Sequence, residues 1–362
     1  MPSELDAAFP MNLSVVIPTL NCSELLGKHI ESLSAWSDLA GEIIVVDSHS
    51  DDGTVELIRE RLKHPNLKIL SHPRGLYQSW NHAIQQTEGR WVYISTAGDT
   101  IGRDQITHLI TCGETCAADV VCSPPIFESS DSPSLPIHEW PITRILADTG
   151  LKEPVCLSSL YLFAHALLQV PRSILGSSAS NLYRGNHIRT RPFPLGFGVC
   201  GDTAWPLKYA FETRFCFTPR AGSIFLFHEK VEQPFDNERA EEHYSSIRSV
   251  GLETIRSQGS ETMGADIADL FSRFIAHQNT LPIDPVARAR ANFRKAKEAS
   301  IFPWFMTSNG WKYRREKKEA IDKYRHGVAK SELHLEIEKL LQTGLISPNP
   351  YLQSEAPSLT PM

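Results

Sequence analysis

Three carboxylates stand where an alternating α/β chain can use them. Asp47 closes the apolar run "EIIVVD" (42–47), Asp99 closes "WVYISTAGD" (91–99), and Asp202 opens "GDTAWPLKYAFE" (201–212). A carboxylate at such a place can accept hydrogen bonds from a ligand, anchor a hard divalent cation, or take a proton from a reacting hydroxyl. Each also has an ordinary reading. Asp99 can cap a helix beginning near Asp104, and Asp202, just before Thr203, can be an N-cap worth about 1 kcal/mol.

The elements that carry these acids are legible in the first third of the chain. "LSVVIPT" (13–19), "EIIVVD", "LKIL" (67–70) and "WVYIS" (91–95) read as strands. The intervening "SELLGKHIESLSAW" (23–36), "GTVELIRERL" (53–62) and "YQSWNHAIQQT" (77–87) have helical periodicity. Strands alternating with helices predict a mostly parallel sheet covered on both faces. Ligands of such sheets sit at the carboxyl ends of the strands, where Pro18, Thr19, Asp47 and Asp99 all fall. Residues 123–150, rich in Pro and Ser, are expected to form a long surface excursion. "GDTAWPLKYAFE" reads as a helix and "GSIFLFH" (222–228) as a strand; beyond residue 231 only helical patterns remain.

The bulk numbers narrow the function classes. The chain has 362 residues, 41% hydrophobic, enough for two or three structural units. A net charge of −6 disfavours general nucleic-acid binding. Seven scattered cysteines lack a zinc spacing and read as free thiols of a reducing cytosol. The start "MPSELDAAFP" lacks a signal-peptide pattern, and "LSSLYLFAHALLQV" (157–170) is too short to span a bilayer. A cytoplasmic protein, at most attached to the inner face of the membrane, is expected.

The ordered set "SVVIPTLN", "EIIVVDSHSDDGT", "RGLYQSWNHAI", "GRWVYISTAGD" and "GDTAW" resembles family 2 glycosyltransferases of the GT-A fold, over roughly residues 12–230. It is most similar to bacterial transferases that build surface polysaccharides. The resemblance implies an α/β fold, a Rossmann-like α/β/α sandwich with a mostly parallel sheet, here with a C-terminal helical extension. It implies a nucleotide-diphosphate sugar donor (UDP, GDP or dTDP), a divalent metal (Mn²⁺ or Mg²⁺) and inverting transfer to a sugar or lipid-linked acceptor. It puts Pro18, Thr19, Asn21 and Asp47 beside the nucleotide, with Arg74, Gly75 and Asn81 from the "RGLYQSWN" stretch. Thr96, Ala97 and Gly98 form the donor and metal loop, in which Thr96 and Gly98 stand where the family carries acids. Asp99 is the remaining metal ligand, with His228 at the family's second ligand position. Asp202 is the base, with Trp205 available to stack on a sugar ring.

The resulting organisation is a nucleotide-sugar half (1–123), an acceptor half (124–230), a helical extension (231–346) and a disordered tail (347–362). Within the extension, residues 288–330 flank the aromatic knot "IFPWFM" (301–306) with basic residues. That composition suits peripheral membrane contact, and equally a knot packed on the protein with its charges in water. Two rival classes are weak: no Gly-rich, Lys- or Arg-bearing loop follows the first strand, as a nucleotidyltransferase needs, and no Gly-x-Gly-x-x-Gly, as a dehydrogenase needs. A catalytically inactive sugar-nucleotide-binding protein on the same fold remains the alternative.

Overall fold

The computed structural model describes residues 13–129, 140–227, 237–280, 312, 315, 331–344 and 346–349. The described chain falls into two compact units, residues up to 232 with those from 346 on, and residues 233–345.

The first unit is built on an eight-stranded sheet in the order β3-β2-β1-β4-β9-β6-β10-β8. The strands β1 (Leu13–Thr19), β2 (Glu42–Asp47), β3 (Leu67–Ser71) and β4 (Trp91–Ile94) are parallel neighbours. Their crossovers are the helices α1 (Leu26–Ser34), α2 (Thr54–Arg61) and α3 (Leu76–Gln85). The continuous β-branched runs of β1 and β2 have both faces buried, which is why they show no alternation. Register pairs Thr19 with Asp47 and Asp47 with Ser71, so the tips of β1 to β3 end level.

The remaining elements make this sheet mixed. After β4 come the short β5 (Thr100–Ile101), α4 (Arg103–Thr115), β6 (Val120–Cys122) and β7 (Pro125–Ser129). Then follow α5 (Pro141–Thr149), β8 (Val155–Cys156), α6 (Ser159–Gln169), β9 (Asn181–Arg184) and α7 (Gly185–Thr190). The unit continues with α8 (Gly201–Tyr209), β10 (Phe215–Phe217) and β11 (Ser223–Phe227). β9 runs antiparallel to both β4 and β6, and β8 antiparallel to β10. A second sheet, β5-β11-β7, stands apart from the first.

The expected surface excursion is thus partly structured. β7 pairs with β11, and α5 buries Pro141, Ile142 and Ile145. Phe127 and Trp140 meet edge to face with Phe225 beside them. Residues 130–139 lie outside the described residues. The second unit contains α9 (Asn237–Thr262), α10 (Ala265–Thr280) and α11 (Glu332–Gln342). These bury Ile247, Ile255, Leu270, Phe271, Phe274 and Ile337. The knot 301–306 lies outside the described residues. Among those described, no helix is long and apolar enough to cross a membrane.

Candidate functional site at the strand ends

Asp47 is buried at the tip of β2, and its carboxylate is heavily used. Oδ1 accepts from Thr19 Oγ1 (2.9 Å) and Ser50 Oγ (2.6 Å), and Oδ2 from the Ser50 amide (2.8 Å). A carboxylate offers about four acceptor sites, so one on Oδ2 is left for a ligand donor. The loops after β1 and β2 are laced together by three further contacts. Asn21 N donates to Ser50 Oγ, Asn21 Oδ1 accepts from the Asp51 amide, and the Ser23 amide donates to Asp52. Burial pushes the Asp52 carboxyl upward, but hydrogen bonds from Thr54 and Ser23 outweigh it and bring the group down to about 2. Asp52 is therefore a structural anion that ties the β1 loop to the start of α2. Pro18 lies within β1, opposite Val46.

Ser48, next in the chain after Asp47, shares a hydrogen bond with Ser79 of α3 (2.9 Å). The same helix carries the contacts to the far side of the site. Gly75 is its N-cap, and Arg74 lies exposed just before it. Asn81 clamps Phe193 with both ends of its amide, Nδ2 to the carbonyl (2.8 Å) and Oδ1 from the amide (2.9 Å). The Tyr77 hydroxyl has two acceptors within reach for its one proton, Val199 O (3.0 Å) and the Asp202 carboxyl.

Asp202 sits in the first turn of α8. Burial drives its carboxyl up to about 6, against hydrogen bonds from Tyr77, the Thr203 amide and Ser173 that favour the ionised form. A carboxyl poised there exchanges its proton readily near neutral pH. Asp202 is not the N-cap expected of it: that place falls to Cys200, which makes no side-chain cap bond, and Asp202 lies just inside the helix start. Trp205 differs from expectation: it is fully buried, donates Nε1–H to Arg191 O (2.7 Å), and packs among Tyr183, His187, Phe193, Tyr209 and Phe215. The helical period of α8 turns it into the core, so it offers no face to a sugar. Tyr77 and Trp80 are likewise core residues, packed on Phe193.

The loop after β4 is the most constrained part of the site. Gly98 has φ +96°, the left-handed region, in a turn closed by the Asp99 amide on Thr96 O (3.1 Å). Asp99 is buried, with Oδ1 accepting from the Leu226 amide (3.0 Å) and Oδ2 from Ser177 Oγ (3.3 Å). Burial pushes this carboxyl up to about 7 despite the hydrogen bonds from Leu226, Ser177 and Thr96. Beneath it His29, kept neutral by burial, donates Nδ1–H to Asp99 O (2.8 Å). Its Nε2 is then an acceptor and faces Ser95 Oγ at 3.3 Å.

Sequence reasoning missed the serines that join these parts. Thr96 Oγ1 and Ser178 Oγ are 2.5 Å apart, Ser177 holds Asp99, and Ser173 Oγ donates to Asp202 O (3.0 Å). One short segment, 173–178, therefore touches both the β4 loop and the start of α8. Lone hydroxyls have no periodicity, and the only signal was the polar string "GSSAS".

The cation implied by the fold has little to hold it here. Among the described residues no three His, Cys, Asp or Glu side chains converge on one point. Asp99 is the loop's single carboxylate; it is buried, and each of its oxygens already accepts one hydrogen bond, from β11 and from Ser177. Thr96, Ala97 and Gly98 add no anionic oxygen. Among the described residues this leaves one carboxylate toward a cation, too few for a site held by the protein alone. His228 lies outside the described residues.

A parallel half-sheet with ligand-facing loops at its carboxyl edge, joined to a mixed half that brings an acid at a helix start, defines the GT-A class of glycosyltransferase folds. The superposition on S. aureus TarS 1-349 in complex with UDP-GlcNAc has a TM-score of 0.56 at 15% identity, covering 88% of this chain and 92% of that one. Residues 14–165 match the family model described as Glycosyl transferase family 2. Among curated relatives, the succinoglycan biosynthesis protein ExoO of Rhizobium meliloti is 25% identical over 111 residues, 30% of this chain and 32% of the relative. A PGL/p-HBAD biosynthesis glycosyltransferase of Mycobacterium bovis is 28% identical over 99 residues, 26% of this chain and 38% of the relative. The aligned stretch thus spans about a third of the length of these relatives.

Proposed function

We propose that this protein is an inverting glycosyltransferase that moves a sugar from a nucleoside-diphosphate donor to the hydroxyl of a glycan or lipid-linked acceptor in surface-polysaccharide or glycoconjugate synthesis. The nucleotide lies over the tips of β1 and β2, with Thr19, Asn21 and the open acceptor site of Asp47 toward base and ribose. The acceptor approaches from the side of α8. As its oxygen bonds to the anomeric carbon, its proton passes to the Asp202 carboxylate, the carbon–oxygen bond to the β-phosphate breaks, and the nucleoside diphosphate departs. Attack from the face opposite the leaving group inverts the anomeric centre. Holding both substrates between the β4 loop and α8 replaces translational freedom with orientation.

The observation that carries this reading is Asp202: a carboxyl poised at about 6, tied through Ser173 to the segment that also holds the β4 loop. The test is turnover of UDP-, GDP- and dTDP-sugars against a panel of glycan and lipid-linked acceptors, read as released nucleoside diphosphate and as product mass. Transfer or donor hydrolysis that disappears in Asp202→Asn supports it. A second reading, an inactive sugar-nucleotide-binding protein, is favoured by the neutral Thr96 and Gly98. It predicts nucleotide binding with no turnover anywhere in that panel.

A further inference from the structure

At the far edge of the large sheet, three thiols from three elements meet. Cys116 caps the C-terminus of α4, Cys156 lies on β8 and Cys216 on β10, and the Cys156 thiol donates to Cys116 O (3.5 Å). Cys156 and Cys216 are direct partners in the antiparallel β8–β10 register. The adjacent Leu157 amide donates to Phe215 O (3.1 Å), so the Cys156–Cys216 pair is the non-hydrogen-bonded kind, in which side chains stand closest.

Arg214 Nε, which can only donate, points at Cys156 Sγ from 3.2 Å. The hydrogen bond from the Cys216 thiol and the Arg214 guanidinium together pull the Cys156 thiol below its ordinary range, while Cys216 and Cys116 are pushed up. The cluster has an entrance. A cavity of about 510 Å³ is lined by Cys116, Cys156 and Arg214, with Thr149, Leu151 and Pro348 among its walls.

We infer that Cys156 and Cys216 form a peroxide-responsive dithiol, with Cys156 the attacked sulfur and Cys216 the resolving one. The Cys156 thiolate attacks one oxygen of hydrogen peroxide, the O–O bond breaks, and the hydroxide released takes a proton to leave as water. Sulfur is oxidised to a sulfenic acid as peroxide is reduced. The Cys216 sulfur then attacks the Cys156 sulfur, an S–S bond forms, and the hydroxyl departs as a second water with the Cys216 proton. Arg214 favours the thiolate that the first step requires. The product cross-links β8 to β10 and reverts with a dithiol reductant.

The full chain, reduced and desalted, is titrated with hydrogen peroxide, alkylated in denaturant, digested without reduction and analysed by mass spectrometry. The expected result is a single disulfide joining Cys156 to Cys216, a fall in free thiols from seven to five, and full reversal by dithiothreitol. Cys156→Ser abolishes the linkage, Cys116→Ser retains it, and Arg214→Gln slows its formation by about ten-fold. Should Cys156→Ser not fold, the other two variants carry the test. Seven persistent thiols, a linkage through Cys116, or an unchanged rate in Arg214→Gln overturns the assignment. The readout is mass, so its outcome is independent of any sugar transfer.

Discussion

The Leu226 amide donates to Asp99 Oδ1 across 3.0 Å, so a side-chain carboxylate stands where a backbone carbonyl would continue the β5–β11 ladder. The β4 loop is thereby bolted to the second sheet. The bolt titrates: burial raises the folded carboxyl to about 7, above its unfolded value of 3.8. A raised acid favours folding in its protonated form. Its stabilising contribution is complete below about pH 4 and is lost as pH climbs through 7, a span worth up to about 4 kcal/mol.

Asp99→Asn should remove that dependence. Its amide oxygen still accepts from Leu226, and its nitrogen donates to Ser177 Oγ. Melting temperatures of wild type and variant between pH 4 and 8 should diverge, the variant becoming the more stable above pH 7. Taking the difference cancels the opposing titration of buried His29. Parallel curves would mean that Asp99 does not carry the charge assigned to it.

How much of this was readable differs by residue. The first four strands and the positions of Thr19, Asp47 and Asp99 followed from apolar run lengths, because a strand buried on both faces writes itself as an unbroken hydrophobic stretch. The acid at position 99 was visible, but its inward direction was not. That depends on β11, more than a hundred residues away in sequence. β5 and β8 have two residues each, below any periodicity. Trp205 was misjudged because an aromatic beside a candidate acid suggests a sugar platform, whereas the turn of α8 carries it into the core. Ser173, Ser177 and Ser178 act through single hydroxyls that no pattern marks.

The neutral residue at 98 has a backbone reason. At φ +96° a side chain is strained, although Leu25 and Leu226 atoms at 3.6–3.7 Å would leave a Cβ ordinary contact room. Restoring an acid with Gly98→Asp should therefore cost about 1 kcal/mol, because Asp tolerates the left-handed region better than most residues. Chemical denaturation should show a lower midpoint with an unchanged slope. A midpoint equal to or above wild type would refute the strain argument.

Asp47 separates charge from support. Asp47→Ala leaves Thr19 and Ser50 without their acceptor, which should destabilise by about 1–3 kcal/mol. Asp47→Asn keeps most of those bonds, since the two hydroxyls can accept from its amide nitrogen. Both should weaken nucleoside-diphosphate binding by about ten-fold or more, because a bond to a charged acceptor is lost. Calorimetric titration with UDP, GDP and dTDP, beside thermal melts, distinguishes the two effects. Undiminished affinity for a nucleotide that binds wild type would remove Asp47 from the site.

Asp202 makes the sharpest kinetic statement. Its carboxyl must be ionised to accept the acceptor's proton, so kcat/KM should fall below about pH 6, with one proton responsible. Asp202→Asn should lower kcat by about 10²–10⁴-fold while leaving the donor KM nearly unchanged, since the lost interaction belongs to the transition state. Tyr77 supplies a finer probe. Its hydroxyl favours the ionised form of Asp202, so Tyr77→Phe should move the acid limb of the profile upward in pH. A purely structural acid in the first turn of α8 would respond differently: Asp202→Asn would then alter stability and kcat by similar small amounts, and the acid limb would stay in place in Tyr77→Phe.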